Sequence, residues 1–181
     1  MLIKKDDACL LLIDVQEKLL PLVADSEALI DRCQWLLRLA NELEVPCLVS
    51  EQYPRGLGHT VKPLLEVSSQ EPPIEKVHFS CYREPNFVQR VKQLGKTQFV
   101  LIGIEAHVCV LQTALDLLAE DNDVFIVVDA VSSRKLIDKK YALKRLQQAG
   151  AILVTAEMVF FEWLEQAGTP LFKALSNAYL K

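Results

Sequence analysis

The sequence lacks the features that mark several large classes of protein. No apolar run approaches the roughly 20 residues needed to span a bilayer, so the chain is expected to be soluble. The first apolar run ends at Asp14, and no small-residue cleavage site follows, which indicates a strand rather than a signal peptide. The net charge of -4 comes from interspersed acidic and basic residues, so neither nucleic acid nor a membrane is expected as a partner. The expected partner is therefore a small-molecule substrate or another protein.

Paired cysteines and glycine-rich nucleotide motifs are also missing. The five cysteines are odd in number and form no CxxC pair, which argues against a disulfide framework and against a zinc site. A reducing cytoplasm is therefore the expected location. The fragment RGLG lies outside any GxGxxG or GxxxxGK[ST] context, so it is not expected to hold a phosphate.

The 181 residues instead show short apolar runs that alternate with longer helical patterns. The predicted strands are 9–13, 46–50, 76–79, 98–102, 124–128 and 151–154, and the predicted helices are 26–43, 84–94, 109–120, 136–149, 156–166 and 170–180. Continuous apolar strands suit a parallel sheet covered by helices on both faces. We predict one Rossmann-like α/β/α domain over 1–181, with six parallel strands in the order 3-2-1-4-5-6. The segment 51–75, rich in Pro, Gly and Ser, is expected to form a functional loop with a short helix.

Two reactive side chains follow strands that this order places side by side. Asp14 comes directly after the first strand, and Cys109 begins the helix after the fourth. Ligands of open α/β sheets bind beyond the carboxyl ends of the strands, so both groups are expected at one crevice. A helix N-terminus stabilises a thiolate, which predicts a lowered pKa for Cys109. From the residues alone, Asp14 as a cap and Cys109 as a buried helix residue stay open as alternatives.

The three histidines and several aromatic residues are weaker candidates. His107 lies two residues from Cys109, but neighbouring turn positions usually point in different directions. His59 and His78 show no ligand spacing and are expected to be a loop residue and a strand residue. Tyr53, Phe79 and Tyr82 are candidates for lining the pocket, with plain packing as the alternative.

The ordered motifs LLLIDVQ, EKVHFS and VLIGIEAHVCVLQTALDLL resemble those of the isochorismatase-like cysteine hydrolases, which include nicotinamidase and N-carbamoylsarcosine amidase. The later segments VFIVVDAVSSR and AGAILVTAE follow the order of the family, so the resemblance covers nearly the whole chain. Within that superfamily, SEQYPRGLGHTV and GIEAHVCVLQTALDLL are most similar to isochorismatase domain-containing proteins of uncertain substrate.

Carried over position by position, the resemblance implies a catalytic triad. Asp14 matches the general acid and base, Lys76 the lysine, and Cys109 the nucleophile. The resemblance also implies a cis peptide bond between Ile104 and Glu105, with the N–H groups of Glu105 and Cys109 as an oxyanion hole. The implied reaction cleaves a small amide or related C–N bond through a cysteine thioester, without a cofactor.

The resemblance extends to the substrate pocket, with two departures. The pocket candidates are Gln16, Tyr53, Phe79, Tyr82, Ile104 and Glu105, of which Gln16 is also expected to support the site by hydrogen bonds. Metal-binding nicotinamidases carry an Asp-x-His pattern, whereas this chain offers Glu51, Tyr53 and His59, so neither a metal nor a pyridine substrate is expected. Glu105 stands where many amidases have a small residue, which suggests selection of a cationic or hydrogen-bond-donating substrate.

The resemblance leaves further choices open. True isochorismatases act on a vinyl ether without needing a cysteine, so Cys109 favours the amidase branch. Family members commonly assemble, so a homo-oligomer is expected. One alternative is a catalytically idle member that binds a metabolite or a partner, because a fold does not determine a function. A redox sensor at Cys109 is the weakest alternative, since no resolving cysteine is evident nearby.

Overall fold

The structure is a computed structural model that describes residues 1–68 and 71–180, so two residues of the predicted loop 51–75 lie outside the described part. The strands are β1 Ala8–Ile13, β2 Cys47–Gln52, β3 Ile74–Lys76, β4 Gln98–Ile104, β5 Asp123–Ser132 and β6 Ile152–Val154. The helices are α1 Ser26–Glu42, α2 Pro54–Leu57, α3 Lys62–Leu65, α4 Pro85–Leu94, α5 Leu111–Ala119, α6 Leu136–Gln148, α7 Ala156–Leu164 and α8 Pro170–Tyr179.

The strands pair in parallel in the order β3-β2-β1-β4-β5-β6, which confirms the predicted six-stranded sheet. Successive side chains of β1 enter opposite faces of the sheet, because a strand alternates with a period of two. Leu10 and Leu12 pack in the cluster that includes α1, α7 and α8, whereas Leu11 and Ile13 pack in the cluster that includes α4, α5 and α6. The predicted α/β/α arrangement is therefore confirmed.

Several boundaries differ from the prediction, and two of them affect the site. The prediction for β3 was wrong, because the strand covers Ile74–Lys76 rather than 76–79, so Lys76 ends it. The helix expected from Cys109 begins with a π-helical turn at Ala106–Val110, and α5 follows from Leu111. The loop 51–75 holds two short helices, α2 and α3, instead of one. Across residues 1–68 and 71–180, no helix is both long and apolar enough to cross a membrane.

The central strands β1 and β4 approach each other closely where the strand order reverses. Gly103 in β4 has a φ of +112°, and a Cβ at this position would overlap the carbonyl oxygen of Ile13 and lie 2.8 Å from its nitrogen. Glycine is therefore required for this pairing, since it alone lacks the atom that would clash. Asp14 directly follows Ile13, so the close approach of β1 and β4 also determines where the Asp14 side chain lies at the carboxyl edge of the sheet.

Candidate active site

Asp14 and Lys76 form a buried ion pair at the carboxyl edge of the sheet. Lys76 Nζ lies 2.7 Å from Asp14 Oδ2, and both side chains are fully buried. The two residues come from β3 and from the end of β1, which flank β2 in the sheet. Ser50 of β2 lies between them and donates its hydroxyl to Asp14 Oδ1 at 2.7 Å. Asp14 Oδ2 receives no well-aligned hydrogen bond within the described residues, so its contact with Lys76 is ionic.

The Lys76 ammonium is held by three further acceptors. It donates to Gln52 Oε1 and to the carbonyl oxygens of His78, at 3.2 Å, and Phe79, at 3.0 Å. Burial would lower the pKa of Lys76, but the negative charge of Asp14 opposes burial, and the pKa lies above its ordinary value. Lys76 is therefore a permanent positive charge in the site.

Cys109 lies in the π-helical turn and is 6% exposed. Its thiol hydrogen-bonds with the Asp14 carboxylate. Burial, followed by the charge of Asp14, raises the pKa of Cys109 well above its ordinary value, and the Lys76 ammonium offsets only part of this rise. The predicted lowering of the pKa was wrong, because burial of the thiol is the largest contribution and raises the pKa. The resting thiol is protonated.

A second thiol, Cys81, is buried beside the same ion pair. Its backbone N–H donates to Thr113 Oγ1 at 2.9 Å, and its thiol hydrogen-bonds with the hydroxyls of Ser50 and Thr113. Burial and the charge of Asp14 raise the pKa of Cys81 to about 11. Cys81 was not among the predicted site residues, although its partner Thr113 lies one helical turn after Cys109 and so on the same face of the helix. Cys81 and Cys109 belong to the same buried apolar cluster.

Gln16 joins the chain after β1 to the end of β2. Its Nε2 donates to the carbonyl oxygens of Gln52, at 2.9 Å, and Gly58, at 2.7 Å, while its Oε1 accepts the Gln52 N–H at 2.7 Å. The side chain is fully buried, and both of its N–H groups donate to backbone carbonyls. These contacts are those of a supporting residue, and the place of Gln16 in the pocket stays a prediction.

The peptide bond between Ile104 and Glu105 is cis, as the resemblance implies. Ile104 is fully buried. The Glu105 carboxylate is paired, since its Oε2 accepts the backbone N–H of Arg134 at 3.1 Å and the Arg134 Nε–H at 3.0 Å. This guanidinium balances the charge that was expected to select a cationic substrate, so that expectation loses its basis.

The remaining pocket candidates have different surroundings. Tyr53 is about half exposed and borders a cavity of about 340 Å³, which is also lined by Lys76, Val77 and Glu84. Phe79 is 52% exposed and contributes its carbonyl oxygen to Lys76. Tyr82 is partly buried and packs edge-on against Phe87, with ring centroids 6.3 Å apart, which is the packing alternative.

The imidazole rings of the three histidines contact side chains other than those of Asp14, Lys76 and Cys109. His107 contacts Ser133, His59 contacts Glu51 and His78 contacts Glu84, each through its Nδ1. His78 follows β3 rather than lying in a strand, because that strand ends at Lys76. Among residues 1–68 and 71–180, no group of three or more histidine, cysteine or acidic side chains is arranged to hold a metal ion.

Comparison with known proteins identifies the family. The isochorismatase domain matches residues 8–158 of the chain. The chain belongs to the isochorismatase family. Over 173 residues it is 38% identical to isochorismatase domain-containing protein 2A from Mus musculus. This match covers 95% of this chain and 82% of the mouse protein.

Solved structures of isochorismatase-like hydrolases share the fold over almost their whole length. The structure of MAR1 ribonuclease from Caenorhabditis elegans superposes with a TM-score of 0.93 at 38% identity, covering 100% of this chain and 93% of that chain. YcaC from Escherichia coli, described as an octameric hydrolase of unknown specificity, superposes with a TM-score of 0.90 at 29% identity, covering 99% and 96%. The isochorismatase-like hydrolase fold is thus shown, and the substrate is left open.

Proposed function

We propose that this chain is a cysteine hydrolase that cleaves a small amide or related C–N bond, with Asp14, Lys76 and Cys109 as its triad. The observation that supports the proposal best is the meeting of a buried carboxylate, a buried ammonium and a buried thiol from three separate strand ends. Burying such charges is costly, so their presence together is typical of a functional site rather than of a core.

In the proposed reaction, the protonated resting thiol first gives its proton to Asp14. The Cys109 sulfur then attacks the carbonyl carbon, and the N–H groups of Glu105 and Cys109 hold the oxyanion, each worth about 2.7 to 4 kcal/mol in such sites. Asp14 passes the proton to the leaving nitrogen as the C–N bond breaks. Water then attacks the thioester, Asp14 takes a proton from this water, and the proton returns to the sulfur as the acid departs.

Lys76 has a defined part in these proton transfers. Its ammonium stays charged, so it stabilises Asp14 when the carboxylate is ionised and the Cys109 sulfur when the proton has moved to Asp14. The first proton transfer moves one negative charge from Asp14 to Cys109, and the Lys76 ammonium balances that charge in both places. A site out of contact with bulk water gains from this balance, because an uncompensated charge would be expensive there.

The proposal is tested by looking for the thioester. A panel of small amides is incubated with the wild-type protein, the reaction is quenched in acid within the first turnovers, and the protein is examined by peptide mass spectrometry. An acyl adduct on Cys109 is expected with at least one amide, and none is expected on Cys9, which is fully buried in the apolar core. Hydrolysis of an amide that survives in Cys109→Ala would contradict the proposal.

A catalytically idle member that binds a metabolite or partner is the alternative from another class, and RNA is a further possible substrate because a relative is named a ribonuclease. The net charge of -4 disfavours RNA, since phosphate backbones are bound chiefly through clustered Lys and Arg. RNA cleavage that is lost in both Asp14→Asn and Cys109→Ala would replace the small amide as substrate. Saturable amide binding without turnover would favour the idle member.

The proposal extends to assembly and location. The E. coli YcaC structure is described as octameric, which supports a homo-oligomer for this chain as well. Multi-angle light scattering is expected to show a mass of several chains, and a monomer would contradict this part. A reducing cytoplasm stays the proposed location, because the sequence has an odd number of cysteines and no CxxC pair.

A further inference from the structure

The chain that follows β3 supplies two of the acceptors that hold Lys76, although this segment has little packing of its own. Val77 is 68% exposed and Phe79 is 52% exposed. Segments with few buried apolar contacts are usually the most mobile parts of a protein. The carbonyl oxygens of His78 and Phe79 nevertheless point inward to the Lys76 ammonium. Polar contacts must therefore hold this backbone in place.

Glu84, the residue that precedes α4, supplies these contacts. Its Oε1 accepts the backbone N–H of Val77 at 3.0 Å, the backbone N–H of His78 at 3.1 Å and lies 2.9 Å from His78 Nδ1. Burial opposes ionisation of Glu84, but the hydrogen bonds from Val77 and His78 outweigh burial, and the pKa of this carboxyl lies below its ordinary value. Glu84 is therefore an ionised acceptor at neutral pH, tied to two successive residues of the exposed segment.

The contacts of Glu84 lead to Lys76 through one short stretch of backbone. The His78 N–H is bound by Glu84 on one side, while the His78 carbonyl oxygen accepts from Lys76 Nζ on the other. Gln52 closes the arrangement from the sheet, because it accepts from Lys76 Nζ and donates to the Val77 carbonyl oxygen at 2.9 Å. The His78 N–H shares its rigid peptide plane with the Val77 carbonyl, so Glu84 and Gln52 hold this plane from both ends and fix the position of the His78 Cα, from which the His78 carbonyl continues toward Lys76.

We propose that Glu84 is a positioning residue of the active site, which holds the backbone of residues 77–79 so that two of its carbonyl groups orient the Lys76 ammonium toward Asp14. The inference rests on the proposed function, because it concerns the lysine of the proposed triad. A lysine ammonium lies on a flexible four-carbon stem, and only its acceptors determine where the charge lies. Without Glu84, the ammonium moves relative to Cys109 and stabilises its thiolate less.

The test measures the alkylation of Cys109 by iodoacetamide, resolved from the other cysteines by peptide mass spectrometry. Only the thiolate reacts, and below the thiol pKa the rate is proportional to the thiolate fraction, so a pKa shift appears as the same fold-change at every pH. Glu84→Ala is expected to slow alkylation about 3- to 10-fold, which corresponds to roughly half to one pKa unit. Glu84→Gln keeps an accepting oxygen for both backbone N–H groups and is expected to react at close to the wild-type rate.

The matched control is Glu75→Ala. Glu75 precedes Lys76 in β3, borders the same cavity as Glu84 and is exposed, so this variant removes the same charge without touching the 77–79 backbone. It is expected to react at the wild-type rate. Equal slowing in Glu84→Gln or in Glu75→Ala would show that charge alone acts, and would overturn the positioning role. Circular dichroism and thermal melts confirm that each variant is folded.

Lys76→Ala separates the inference from the proposed function. Slowing in Lys76→Ala, together with a wild-type rate in Glu84→Ala, would overturn the role of Glu84 and leave the triad standing. No slowing in Lys76→Ala would overturn both. Should Glu84→Ala fail to fold, Glu84→Asp replaces it, because the shorter side chain keeps the charge and withdraws the oxygen from the two N–H groups. Slower alkylation in Glu84→Asp supports the inference, and a wild-type rate overturns it.

Discussion

Replacing Lys76 with methionine is expected to destabilise the protein strongly. The substitution keeps most of the side-chain length and leaves Asp14 fully buried, with the Ser50 hydroxyl at 2.7 Å and the neutral Cys109 thiol as its remaining partners. Removing one partner of a buried ion pair costs about 3 to 5 kcal/mol, because an uncompensated charge stays behind. The double variant Asp14→Asn/Lys76→Met removes both charges, so its loss of stability is expected to be clearly smaller than the sum of the two single losses.

Urea unfolding followed by circular dichroism measures these free energies of unfolding. With a slope of about 1 to 3 kcal/mol per molar urea, the loss in Lys76→Met lowers the midpoint by at least about 1 M. Lys62→Met is the control, since Lys62 is 85% exposed and pairs with an exposed Glu66 at 3.6 Å, and a change within about 0.5 kcal/mol is expected. A loss below about 1 kcal/mol in Lys76→Met, or additive losses in the double variant, would refute the reasoning.

Three further substitutions have expected outcomes. Gly103→Ala places a methyl group against Ile13 at a φ of +112°, so thermal unfolding is expected to show a loss of roughly 2 to 6 kcal/mol, and a near-native melting temperature would contradict the required close approach. The hydrogen bond and charge of Glu51 raise the pKa of His59 above 6.5. The contribution of the protonated His59 to the free energy of unfolding is fully present below pH 6.5 and is lost as the pH rises through the raised pKa. His59→Gln is therefore expected to lower the urea midpoint more in acid than in alkali, and equal losses would contradict this expectation. Gln16→Leu removes three hydrogen bonds to backbone groups and is expected to cost about 2 to 4 kcal/mol in urea unfolding, whereas a loss under about 0.5 kcal/mol would show that these bonds contribute little.

The sheet was predictable because its information is local. Each central strand is a continuous apolar run, and parallel pairing with helical crossovers leaves few topologies. The exception is β3, where EKVHFS alternates like a strand although the strand ends at Lys76. After Lys76, the backbone N–H groups of Val77 and His78 bind Glu84 instead of a neighbouring strand. Glu84 lies just before α4, and its contact with the backbone after Lys76 cannot be predicted from the polar and apolar alternation of six residues.

The site was predictable only in part. Asp14 and Cys109 follow strands whose order brings them to one crevice, and Lys76 came from the family resemblance. Ser50 was within reach of sequence reasoning, because it lies in the strand next to β1 close to the same edge. The direction of the Cys109 pKa shift could not be predicted from the sequence, because desolvation depends on everything that packs around the thiol, whereas a helix terminus is a local feature. Cys81 and Glu84 depend on how a loop folds back, which no local pattern encodes.

The short length of β3 has a consequence for how the protein loses activity. Lys76 ends an edge strand of three residues, whereas β4, which leads to Cys109, is a central strand of seven. Proteins open in parts, and short edge segments exchange their amide hydrogens at a lower free energy than central strands do. Amides of residues 74–79 are therefore expected to exchange with deuterium well before those of β4. Mild heating or low denaturant would then disable the proposed chemistry by releasing Lys76, while Cys109 and Asp14 still rest on an intact core.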